Sequence, residues 1–182
     1  MIILGIDPGT IITGYGVISV DRRSSAKFSV LEFGQIEAKK LDAMPKRLAT
    51  IFIRLQAVIA RTSPDECAIE TAFYDKNIQS SMKLGQARGV ALTAAELAGL
   101  SIGEYAPRVV KKAVTGNGNA SKTQVEFMTR KLLALEEKER QLPDAYDALA
   151  VAITHALRKG DQNKTATNWK EFIKTHPERI KR

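Results

Sequence analysis

The sequence predicts an α/β domain built on a mixed five-stranded sheet flanked by helices. Three observations lead there. The first third of the chain carries three apolar, β-branched runs in hairpin order, the pattern of neighbouring antiparallel strands. A strand–helix–strand unit follows, which requires a crossover connection and therefore parallel pairing. The remainder has helical periodicity, and 182 residues suffice for one domain with a proper core.

Each element has a local cause. Ile2-Ile3-Leu4-Gly5-Ile6 is a buried strand, and residues 14–20 and 28–36 have the length and residue types of two more, joined by a polar loop over 21–27. Pro45 opens a helix whose Leu48, Ile51, Phe52, Leu55, Val58 and Ile59 form one apolar face, and Ser63-Pro64 stops it. Residues 67–70 form a fourth, short strand. A loop through Phe73-Tyr74 leads to a helix over 78–98, closed by Gly99, and residues 101–105 form the fifth strand. Beyond Pro107 the chain is helical, broken at Thr115-Gly116-Asn117-Gly118-Asn119. Ser121 and Gln124 have capping-box spacing for a helix over 122–135. Pro143 opens a last helix through Leu157, apolar nearly all round and so expected inside. Gly160 marks the end of a domain over 1–160, and 161–182 is expected to be a flexible basic tail, with one short helix around 169–173.

Composition narrows the function classes. No apolar run reaches the roughly 18 residues of a membrane span, and the N-terminus enters a strand directly, so neither an anchor nor a signal peptide is expected. A lone Cys67 permits no internal disulfide and suits a small buried strand position. The net charge of +8 is uneven. Residues 158–182 hold eight Lys/Arg against three Asp/Glu, and residues 108–131 hold six against Glu126 alone. Basic segments of this kind suit a polyanion, or else are solvated helix faces.

Four acids carry the chemistry. Asp7 ends the first strand ahead of a Pro8-Gly9 turn, Glu70 ends the fourth, and Asp144 and Asp147 sit three apart at the start of the last helix, on one face. Each has a structural use: Asp7 as a turn former, Glu70 as a strand-end acid, Asp144 as a partner of the helix dipole. Asp147 fits that use less well, because it leads into an almost wholly apolar helix. Acids at the ends of hydrophobic strands need compensation, and hard oxygen donors without His or Cys point to Mg²⁺ or Mn²⁺. Two such ions form the known clamp for phosphoryl displacement. His155 lies eight residues after Asp147, about 12 Å along a helix, and so is expected to be structural; His176 falls in the tail.

The glycine-rich stretch Gly5-Ile6-Asp7-Pro8-Gly9-Thr10 with Thr13-Gly14-Tyr15-Gly16 also opens sugar kinases and actin-like ATPases, but those folds need two large domains. A collinear set is more specific: GIDPGTIITGYGVI at 5–18, AIETAFYDKNIQSSMKLGQARGVAL at 68–92, EYAPRVVKKAVTGNGNASKTQV at 104–125 and PDAYDALAVAITHA at 143–156. With these the chain resembles the RuvC family of bacterial Holliday-junction resolvases, in the ribonuclease-H-like superfamily.

The resemblance implies a ribonuclease-H-like fold and a cytoplasmic, Mg²⁺-dependent endonuclease that nicks four-way junctions, with two ions per subunit held by Asp7, Glu70, Asp144 and Asp147. It makes Phe73 the aromatic that stacks at the junction, and Lys111 and Lys122 DNA contacts, with Tyr74, Arg88 and Lys112 as further candidates. It implies a homodimer formed through the helix carrying Gly85-Gln86-Ala87-Arg88-Gly89, and a RuvA–RuvB branch-migration complex as partner. The small residues of that helix, Gly85, Ala87, Gly89, Ala91, Ala94 and Ala95, suit either a second subunit or packing within one. Two rival readings are a non-catalytic junction-binding protein, for which loss of one acid would be the sign, and a related enzyme acting on RNA–DNA hybrid or in transposition.

Overall fold

The hairpin-ordered runs form β1 (Ile2–Asp7), β2 (Ile12–Asp21) and β3 (Lys27–Glu37), paired antiparallel. The computed structural model from which this architecture is taken describes residues 1–21, 27–71, 78–135 and 142–165. Helix α1 (Met44–Thr62) follows and ends at Ser63, which takes the left-handed conformation (φ 44°) just before Pro64. Then come β4 (Glu66–Glu70), α2 (Ile78–Leu97), β5 (Ser101–Tyr105), α3 (Pro107–Thr115), α4 (Lys122–Leu133) and α5 (Pro143–Thr165). The sheet runs in the order β3-β2-β1-β4-β5, with β1–β4 and β4–β5 parallel. The mixed five-stranded sheet is as expected.

Strand alternation sorts the core into two layers. Leu4, Ile6, Cys67 and Ile69 face α1 and α2, where Ile51, Leu55, Ala91, Ala94 and Ala95 close over them. Ile3, Ile18 and Ala68 face the other way, onto Tyr146, Leu149 and Ile153 of α5, with Val110 of α3 and Val125 of α4 beyond. Every described side chain of α5 from Ala148 to Ala156 is buried, as its apolar circumference predicts. The helix continues through Gly160 to Thr165, further than the apolar run extends; one helical glycine costs only about 1 kcal/mol.

Helix α5 can lie this close because the sheet presents glycines beneath it. A Cβ at Gly5 would come within 2.8 Å of the Ala152 nitrogen, and one at Gly14 would run into the Asp144 carbonyl. At the other end of the contact, His155 is 6% exposed and bridges Tyr105 Oη (2.8 Å) and Glu66 Oε2 (2.6 Å), with Lys159 also on Glu66. It is structural, as its distance from Asp147 along the helix requires.

The small residues of α2 divide between its two faces. Ala87, Ala91, Ala94 and Ala95 are buried within the subunit, whereas Gly85 and Gly89 face open space.

Candidate active site

Parallel pairing sets the first two acids side by side. Ile6 and Ile69 are in register, so Asp7 and Glu70, the last residues of β1 and β4, emerge at the same sheet edge. This is the C-terminal edge, where sites gather in open α/β sheets. The N-terminal end of α5 lies beside it and delivers Asp144 and, one turn on, Asp147. Carboxylate oxygens of Asp7, Asp144 and Asp147 lie within 4.8 Å of one another. Glu70 stands outside that tight group but lines the same cavity of about 280 Å³, together with Asp7, Asp147, Lys111 and Lys122. Pro107, Val110 and Val125 form its apolar wall.

The electrostatics are those of acids short of positive charge. Burial, then the charges of Asp147 and Asp144, push the Asp7 carboxyl up to about 7, against Lys122. Burial and the charges of Asp7 and Asp147 push Glu70 up to about 8, opposed by Lys122 and Lys111. Asp147 is raised chiefly by burial, with Lys122 pulling it down. Lys122 approaches from the first turn of α4, where Ser121 and Gln124 form the expected reciprocal capping box. Its ammonium is 3.1 Å from Asp147 Oδ2, and that charge raises its own pKa. A cluster of oxygen donors under mutual repulsion fits a hard divalent cation.

The other candidate positions scatter. Lys111 lines the acid cavity, but its neighbour Lys112 turns to a separate groove with Arg108 and Arg158. Arg88 forms an ion pair with Glu104 and ties α2 to β5. Phe73 and Tyr74 lie outside the described residues, as do the tail beyond Thr165 and its expected short helix. One polar neighbour was not foreseen: Gln35 of β3 donates from Nε2 to Asp144 Oδ2 at 2.9 Å. Nothing local marks Gln35, because only the register of β3 on β2 brings it to an acid 109 residues away.

Fold and acid cluster together define a nuclease of the ribonuclease-H-like type, with carboxylates able to take a divalent metal. The family described as "Crossover junction endodeoxyribonuclease RuvC" matches residues 3–155. The proteins of that name from Cytophaga hutchinsonii and Chloroherpeton thalassium are 44% and 41% identical to this chain, over 99% and 98% of it and 88% and 98% of their own lengths. Among solved structures, Thermus thermophilus RuvC superposes with a TM-score of 0.77 at 34% identity, covering 88% of this chain and 97% of that one. The same protein in complex with a Holliday junction substrate gives 0.79 at 34% identity, over 86% and 93%. The chain belongs to the RuvC family of crossover junction endodeoxyribonucleases.

Proposed function

We propose that this protein resolves Holliday junctions by paired symmetric nicks during homologous recombination and DNA repair, using Mg²⁺, with Mn²⁺ able to substitute. The observation that carries the reading is the cluster of Asp7, Asp144 and Asp147 within 4.8 Å, with Glu70 and two lysines around the same open cavity. Relatives over nearly the whole chain are crossover junction endodeoxyribonucleases, and a structural relative is known with a Holliday junction bound.

The donor set fits the metal: every candidate ligand is a carboxylate oxygen, and the acids' raised proton affinity reflects unmet positive charge. Asp7, Glu70, Asp144 and Asp147 would hold two ions per subunit. When bound, such ions activate a water and stabilise the leaving 3′ oxygen. The chain's own groups do the rest. Lys111 and Lys122 offset the charge of the incoming phosphate, the buried Ile6 and Ile69 anchor the two acids that follow them to the sheet, and the apolar wall of Pro107, Val110 and Val125 keeps bulk water from one side. The products carry 5′-phosphate and 3′-hydroxyl ends.

A junction has two equivalent strands to cut, and a two-fold dimer presents two equivalent sites. The open face of α2, with Met82 (65% exposed), Gly85, Gln86 and Gly89 at three-four spacing, is the surface proposed for it. Lys112 and Arg108 extend the basic surface beyond the cavity, and Phe73 and Tyr74 are proposed to meet the junction centre. The proposal extends to a RuvA–RuvB complex as partner and to the bacterial cytoplasm; no described helix is long and apolar enough to cross a membrane.

The test is cleavage of a synthetic four-way junction beside linear duplex and RNA–DNA hybrid, with and without Mg²⁺. Metal-dependent, paired incision of the junction alone is expected. Equal cutting of the hybrid, or junction binding without any incision, would overturn the reading.

A further inference from the structure

We propose that Gln35 is a positioning residue for the metal site, holding the Asp144 carboxylate in its place in the cluster. The inference rests on the metal-binding reading of the four acids. Gln35 on β3 is the cross-strand partner of Gly14 on β2. Cross-strand partners project from the same face of a sheet. Gly14 has no side chain there, and the first turn of α5 settles into the gap, its Asp144 carbonyl against the Gly14 Cα. With α5 seated that close to the sheet, the Gln35 side chain reaches its first turn. Its amide nitrogen meets Asp144 Oδ2 at 2.9 Å in a partly buried setting. Because an ionised carboxylate only accepts, the contact fixes the amide with its nitrogen toward Asp144.

The consequence for the site is specific. Oδ2 of Asp144 accepts from Gln35, and the same carboxylate supplies an oxygen to the cluster. The Gln35 bond thereby restrains rotation of the Asp144 side chain. The donor is neutral, so it orients the carboxylate without cancelling the charge a cation needs. Lys122 on Asp147 differs in this respect, since an ammonium competes with the metal. Hydrogen-bond partners of metal ligands act in this way generally, and their loss costs about 10–100-fold in metal affinity or activity.

The experiment measures Mn²⁺ binding to the full chain by calorimetry, alongside the Mg²⁺ dependence of junction cleavage, the melting temperature, and junction affinity in EDTA. Gln35→Met keeps length and removes the donor. It should weaken Mn²⁺ binding and raise the Mg²⁺ needed for half-maximal cleavage by about tenfold or more, with melting temperature and metal-free junction affinity little changed. Gln35→His retains an N–H at similar reach and should stay within about threefold of wild type. Asp144→Asn is the benchmark. If it leaves Mn²⁺ binding intact, the metal-site reading fails and this inference with it. If Asp144→Asn weakens binding and Gln35→Met does not, the role of Gln35 alone is overturned. A lowered melting temperature in Gln35→Met with unchanged Mn²⁺ affinity in the folded protein likewise makes Gln35 a purely structural residue.

Discussion

Lys122 and Asp147 stand 25 residues apart in sequence, near the N-termini of α4 and α5, and meet at 3.1 Å. The lysine side chain is 79% exposed and the aspartate 19%. A solvated cation thus rests on the rim of an acid cluster that is itself largely withdrawn from water. The phosphate contact proposed for Lys122 requires it to leave Asp147.

Lys122→Ala should therefore weaken junction binding and flatten its dependence on salt, lowering the slope of log K against log[salt] by about one unit. The melting temperature should hardly move, because so exposed a pair adds little to stability. Binding measured from low to moderate salt checks this. An unchanged slope would make Lys122 a solvated lysine with no phosphate partner.

Asp7→Asn should keep junction binding and lose cleavage, since it removes a ligand charge and leaves the surrounding surface intact. Ca²⁺ should support binding with little cleavage, its longer and looser coordination being unsuited to a site for octahedral Mg²⁺. Mixed with wild type, Asp7→Asn subunits should form heterodimers that make a single nick in a cruciform plasmid. Paired nicks from a species that sediments as a monomer on DNA would remove the dimer from this account.

Proton release should accompany metal binding. Asp7 and Glu70 are pushed up to about 7 and about 8, so near neutral pH the metal-free protein still carries protons on them. The folded state then binds more protons than the unfolded chain, and stability from these groups falls as pH rises from the ordinary carboxylate range to about 8. A divalent ion displaces the protons and removes the penalty. Mg²⁺ should raise the melting temperature more at pH 8.5 than at pH 6, and the calorimetric heat of Mn²⁺ binding should vary with the ionisation enthalpy of the buffer. Buffer-independent heat would show that the acids are already ionised.

Glu66 and His155 should matter for stability and not for cleavage. Burial alone would raise the Glu66 carboxyl, but Lys159 and His155 outweigh it and hold Glu66 below its usual range. Glu66→Gln should cost about 1–3 kcal/mol at neutral pH. The sign follows from the depressed pKa: the contribution is present above the ordinary carboxylate range and lost as pH falls through the lowered value. The gap between wild type and Glu66→Gln in urea unfolding should thus close in acid. A gap of the same size at pH 3 and pH 7 would refute the ion-pair account, and a cleavage defect in a stably folded variant would connect Glu66 to the site.

The sequence by itself determined the elements and the acids. Strand alternation, the Ser121–Gln124 cap, the Ser63-Pro64 stop and the apolar circumference of α5 are local signals, set by backbone preference and by side chains a few residues apart. Asp7 and Glu70 were legible because an acid closing an apolar strand stands out against its neighbours. What only the tertiary structure decided depends on register and on the gap between layers. Gln35 reaches Asp144 because β3 pairs with β2 so that Gln35 lies opposite Gly14. Lys111 and Lys112 are adjacent in sequence, yet helix rotation sends one to the acids and the other to a separate groove. Arg88 is spent on Glu104 because α2 lies beside β5. The alanines of α2 turn inward and its two glycines outward for the same reason. Local sequence sets which face a residue occupies on its own element; which partner that face meets is set by packing between segments far apart in the chain.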